Sequence, residues 1–306
     1  MIFNPSKVAF GRHESFALRY GWLTKGFQAF LDNQNIFSED EAIVKLGVGK
    51  NMVHAIRYWM QATQIIKRTS QGLEAQEIGE LIFSEDGYDP YLEDEATIWL
   101  LHWLLASNPN HATAWYWFFN KFHKPEFNGQ ELSSSLIDFA RENIQSKFSA
   151  TTVKNDALVV LRMYSQSKGI GRTPIEEALD SPLSLLGLVS QNSGGRSYLS
   201  VPAERETLPL GIIAFALAQI FNASSQNQLP IEELMYGKSG MPALGAVFRL
   251  TENSLLLKLE KLVQLYPEKL SIRDQGGIHQ IYLLDEITPF QFLEHYYVDQ
   301  KGKEAA

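Results

Sequence analysis

Cysteine is absent from the 306 residues. That excludes a thiol nucleophile, a thiolate metal site, an iron–sulfur cluster and any persulfide relay made from this chain alone. With no disulfide available, stability has to come from buried cores, and the length suffices for two or three domains that each bury one. Long apolar runs are missing too, since none reaches the ~20 residues that a bilayer span needs. The opening Met1-Ile2-Phe3-Asn4-Pro5 has no basic region leading into an apolar stretch, which gives the expectation of a cytoplasmic protein without a membrane partner. No GxSxG, GxGxxG or HExxH and no cluster of histidines is found, so no metal or other cofactor is expected. Gly237-Lys238-Ser239 is like the end of a phosphate loop, but the residue five before Gly237 is Glu232 where that loop requires glycine, and the segment reads as a turn.

Positive charge is also scarce. Lys and Arg number 27 against 35 Asp and Glu, a formal net charge of −8, which argues against indiscriminate binding to phosphate. The shortage is uneven, however. Residues 42–73 carry five basic side chains (Lys45, Lys50, Arg57, Lys67, Arg68) and no acid, whereas residues 84–97 carry six acids and no base.

The basic segment has a definite form. Glu39-Asp40-Glu41 after Ser38 suits a helix start, with Ser38 as the cap and acids in the first turn, where the helix dipole favours them. Gly47 permits a tight turn, and Val53, Ile56 and Met60 recur at helical spacing, so a second helix follows. Ile43, Leu46, Val48, Val53 and Ile56 would close a small core between the two helices. This is a helix-turn-helix pattern. Residues 73–83 suit a short hairpin or a further helix, so a winged-helix variant fits as well. Lys50, Asn51 and His54 then project near the start of the second helix, Arg57 and Tyr58 further along, and Lys67 and Arg68 from the following turn. Lysine and arginine suit guanine or phosphate, and asparagine pairs bidentately with adenine in the major groove. Against this stands the plainer use of such units as packing modules or protein-docking surfaces.

Beyond the acidic stretch, residues 96–106 and 112–122 are apolar almost all round and hold four of the six tryptophans, as befits core helices. His102 and His111 lie among these aromatics and read as core or rim residues. Helices are expected at about 130–146 and 150–165, a linker at 168–174, and a hairpin near 197–201. A second helical unit follows, with helices at 210–221, 231–236 and 253–266, the last burying Leu255, Leu259, Leu262 and Val263. Alternation around Gly276-Gly277 signals a hairpin. The expected fold is therefore mainly α with small β-hairpins: a helical bundle core with helix-turn-helix or winged-helix units at both ends. The expected domains are 1–83, 84–170 and 171–306.

Residues 10–23 mix aromatic, glycine and charged residues. His13 beside Glu14, with Arg12 and Arg19 near, is a candidate for acid–base work or partner contact. Adjacent residues seldom face one site, so a hydrogen-bonded anchor for the N-terminal segment is the ordinary reading. An enzyme reading would centre on His13, Glu14 and Asp94.

Taken together, residues 10–16, Arg19-Tyr20-Gly21-Trp22-Leu23, residues 46–53, Arg57-Tyr58-Trp59, residues 89–94 and Phe248-Arg249-Leu250 resemble a bacterial domain-of-unknown-function family. Its genes stand beside those of PAPS-reductase-like sulfur-transfer enzymes in DNA phosphorothioation and phage-defence systems. The family pattern has glycine where this chain has Arg12, and threonine at Ser15. The resemblance implies an accessory subunit that handles double-stranded DNA beside a sulfur-transfer enzyme and does no catalysis itself. The alternative is a scaffold that docks that enzyme without touching DNA.

Overall fold

The computed structural model describes residues 1–166, 181–192, 194–238 and 240–304, so the linker expected at 168–174 lies outside the described residues. The chain gathers into two compact units. One comprises Asn4–Phe118 and His123–Val201, the other Met1–Phe3, Phe119–Phe122 and Pro202–Ala306.

The first unit opens with α1 (Trp22–Asp32), α2 (Glu41–Leu46) and α3 (Lys50–Ala62). The helix expected after Ser38 starts later, because Ser38 sits in a 3-10 turn, Ile36–Ser38, and α2 begins behind Asp40. Gly47, at φ 65°, ends α2 in the left-handed region that a side chain rarely adopts, and α3 starts three residues past it. The inner face of α3 buries Val53, Ile56, Trp59 and Met60. It packs tightly on α1, since a Cβ on Gly26 would stand 2.6 Å from Ile56 Cγ2 and 2.7 Å from Met60 Sδ. Leu46 is buried as expected, but Ile43 is 37% exposed and lies outside that core. Ala42, four residues before Leu46, takes the inward position on α2 instead.

Next come β1 (Ile66–Arg68) and β2 (Leu73–Ala75), paired antiparallel with Lys67 opposite Glu74, then α4 (Glu77–Phe83). Residues 73–83 thus supply both the hairpin strand and the helix that the pattern offered as alternatives. In α5 (Glu95–Ala106) every residue from 96 onward is buried, and the Asp94 carboxylate caps the helix by accepting from Ala96 N at 2.8 Å. After α6 (Thr113–Asn120) and β3 (Glu126–Phe127), α7 (Gly129–Asn143) starts on a capping box. There Asn128 accepts from Glu131 N, and Glu131 accepts from Asn128 N. It packs on α8 (Ala150–Tyr164). Two short strands, β4 (Ser190–Gln191) and β5 (Tyr198–Leu199), complete a sheet in the order β3-β5-β4.

Residues on either side of position 83 share this unit. The side chain of Gln64 donates to Leu104 O, Asn108 Nδ2 to Ala62 O, and Thr24 Oγ1 to Pro90 O. The structure therefore groups 4–83 with the helices that follow.

The second unit contains α9 (Leu210–Ser224), β6 (Gln228–Pro230), α10 (Ile231–Tyr236), α11 (Leu244–Val247), α12 (Glu252–Leu265), β7 (Leu270–Gln275), β8 (Ile278–Leu283) and α13 (Pro289–Glu304). Its core is α9 against α13, with Leu255, Leu259 and Leu262 of α12 buried, Val263 half-buried, and an antiparallel sheet in the order β6-β8-β7. Gly276-Gly277 turns β7 into β8 as the alternation predicts. Arg249, buried at φ 49°, donates to the carbonyls of Phe119 and Phe122. The fold is mainly helical with small antiparallel sheets. Among the described residues no helix is long and apolar enough to cross a membrane.

Candidate nucleic-acid interface

With α3 held against α1 by one face, its opposite stripe is determined by helical geometry. Lys50 and Asn51 are exposed at its start, and His54 and Arg57 are partly exposed one and two turns on. Lys67 and Arg68 are exposed on β1. Arg68 stands close enough to Arg57 for their charges to repel. Burial first, and that repulsion second, lower the Arg57 guanidinium from its ordinary value, while an arginine stays cationic throughout the range where proteins fold. Lys67 is partly offset by Glu74 at 3.7 Å, which also accepts from Thr69 Oγ1 at 2.8 Å. Among the described residues no ion-pair partner is found for Lys50, Arg57 or Arg68. Two guanidinium groups near enough to repel, with Lys50 unpaired on the same helix as Arg57, suit a polyanion. Lys45, also in the basic segment, is instead engaged by Asp32 at 2.8 Å.

The structure corrects the placement of Tyr58. It is 6% exposed, and its hydroxyl donates to His111 O at 2.8 Å. Position 58 lies 100° round the helix from Arg57, which carries it out of the cationic stripe and into the core. Gln61 takes the place instead, partly exposed one turn beyond Arg57. The same i, i+4 spacing that selects Lys50 and His54 selects Gln61 from the sequence.

The second candidate group is not brought together as a surface site. His13 is 1% exposed. Its Nδ1 accepts from Ser15 N at 3.1 Å, which assigns the proton to Nε2, and Nε2 donates to Asp156 Oδ1 at 3.1 Å. The ring stacks on Trp59 and meets Trp115 and Tyr58 edge-on. Asp156 also accepts from Gly11 N at 2.9 Å. Its carboxyl is raised above the ordinary value by burial, against which the bond to His13 and the Gly11 N–H act. This is the hydrogen-bonded anchor of the ordinary reading. Arg12 and Glu14 remain exposed on the loop, and Arg19 lies 5.3 Å over Trp22 and 5.9 Å over Phe16. Asp94 is occupied in capping α5, so of the three residues of the enzyme reading His13 and Asp94 are bound to different partners and Glu14 is exposed on the loop. His102 is buried with Nδ1 2.8 Å from the Tyr164 hydroxyl, a core histidine as expected, while His111 sits at the rim.

Residues 10–297 match the model of a family described as a protein of unknown function, DUF4007. The chain belongs to the DUF4007 family. Solved structures of SspB and of magnesium-ion-bound SspB are similar to this DUF4007 member, each at 28% identity, covering 98% of this chain and 88% of the other, with TM-scores of 0.82 and 0.83. No curated protein matches it.

Proposed function

We propose that the chain is a DNA-binding accessory subunit of a DNA-modification system of the phosphorothioation type or of a phage-defence system. The observation that carries this reading is the cationic stripe Lys50, Arg57 and Arg68, outward-facing in a protein of net charge −8. In this reading α2, Gly47 and α3 are a helix-turn-helix and the β1–β2 hairpin is its wing. Asn51 and His54 address base edges, and Arg57, Lys67 and Arg68 address phosphate. The family resemblance supplies the setting and the expected partner, a PAPS-reductase-like sulfur-transfer enzyme, and the likeness to SspB supports membership of one such system. A chain without cysteine positions DNA or its partner and leaves the sulfur chemistry to the enzyme.

One of the SspB structures holds magnesium. Among the described residues here, no group of three or more His, Cys, Asp or Glu side chains stands ready to hold a metal, and the buried Asp89 and Asp156 each accept from N–H groups.

Fluorescence anisotropy of labelled duplex DNA at several salt concentrations tests it. Binding that weakens steeply with salt and disappears in a folded Lys50→Glu/Arg57→Glu protein is the expected result. Undiminished affinity in that variant overturns the assignment. No binding at low salt transfers the function to docking of the sulfur-transfer enzyme.

A further inference from the structure

In the second unit the β7–β8 hairpin follows α10, α11 and α12, and the chemistry at the start of α12 is opposite to that of α3. Where α3 begins with Lys50 and Asn51, α12 begins with Glu252 and Asn253, and its next partly exposed position is Leu256. Between α10, the first turn of α12 and the β7–β8 turn lies an open groove of about 500 Å³. Its walls are Met235, Tyr236, Leu256 and Ile278, with Glu232 and Glu252 at the rim. Tyr236 is 48% and Ile278 52% exposed, large apolar surface that a folded protein does not need to leave in water.

We propose that this groove docks a segment of a partner protein that presents a lysine or arginine beside an apolar side chain. Charge complementarity selects that occupant. Among the described residues the groove is lined by two carboxylates and by neither lysine nor arginine; its one histidine, His279, lies 3.7 Å from Asp274. The Tyr236 hydroxyl donates to Glu252, and that bond first, then partial burial and the charges of Glu252 and Glu232, raise the phenol above its ordinary value. Both acids, which line the groove, therefore bear on Tyr236. A cation there is attracted and a phosphate repelled, so this face does not extend the DNA interface, and the inference stands apart from the reading of α3. The apolar wall seats the neighbouring side chain, which supplies the burial that a surface ion pair alone lacks.

The test uses the full chain and a labelled peptide of alternating lysine and leucine carrying a benzophenone photo-crosslinker. Crosslinks that map to α10, the start of α12 or residues 277–279 are expected. Glu232→Lys/Glu252→Lys should weaken the peptide about tenfold or more, whereas Glu85→Lys/Asp86→Lys, which changes net charge equally at the acidic stretch of the other unit, should not. Ile278→Ser, at an exposed position, should weaken it as well. Crosslinks distributed elsewhere on the wild-type chain, or equal losses in the two charge-reversed proteins, overturn the proposal. So does a groove that instead captures a second copy, seen as crosslinked dimers that the peptide fails to dissociate.

Discussion

His13 Nε2 lies 3.1 Å from Asp156 Oδ1, joining residues 143 positions apart in a site that excludes water from both. Through this pair the N-terminal loop is tied to α8, and the His13 ring in turn backs Trp59 of α3. The cationic stripe thus faces out from a helix whose rear is held by distant parts of the chain.

His13→Ala should destabilise the fold by about 2–4 kcal/mol, because it leaves a cavity among aromatics and a buried carboxylate that keeps only the Gly11 N–H. Urea denaturation checks this; a loss within experimental error would show that the loop anchors itself by other means.

Asp156 adds a pH dependence. Its folded pKa is raised above the unfolded value near 3.8, so the folded state holds the proton more tightly. Its contribution is fully present below the unfolded pKa and is lost as pH rises through the folded one. The stability of the native chain minus that of Asp156→Asn should therefore decrease from pH ~4 upward. A difference that grows with pH over that window contradicts the assignment of burial as the dominant cause.

Tyr58→Phe should leave DNA affinity unchanged and cost about 1 kcal/mol of stability, the worth of the hydrogen bond to His111 O. Reduced affinity in a stably folded Tyr58→Phe protein would return Tyr58 to the interface.

Arg68→Ala should lower the slope of log affinity against log salt by about one, as expected for one phosphate contact, without changing which duplex is preferred. Asn51→Ala, by contrast, should alter preference among duplexes and leave the slope unchanged. Competition titrations at matched salt distinguish the two.

Gly26→Ala should cost about 1–3 kcal/mol, since the added methyl meets Ile56 and Met60 at the α1–α3 crossing. Thermal unfolding measures it, and an unchanged midpoint would mean that α1 and α3 can separate freely.

Much of this was written in local sequence. The start of α3, the Gly276-Gly277 turn and the buried row Leu255, Leu259 and Leu262 follow from glycine placement and apolar period, which act over a few residues. So does the cationic stripe, because Lys50, His54 and Arg57 share a helix face whatever the helix packs on. Tertiary structure alone decided the rest. Tyr58 is one residue from Arg57, yet its partners His13 and His111 come from separate segments, and nothing in its own neighbourhood marks it as buried. Asp156 looks like an ordinary polar residue of an amphipathic helix until the loop at Gly11 and His13 closes over it. Local periodicity determines which residues can face together; which of those faces meets water and which meets another part of the chain depends on contacts between segments far apart in the sequence.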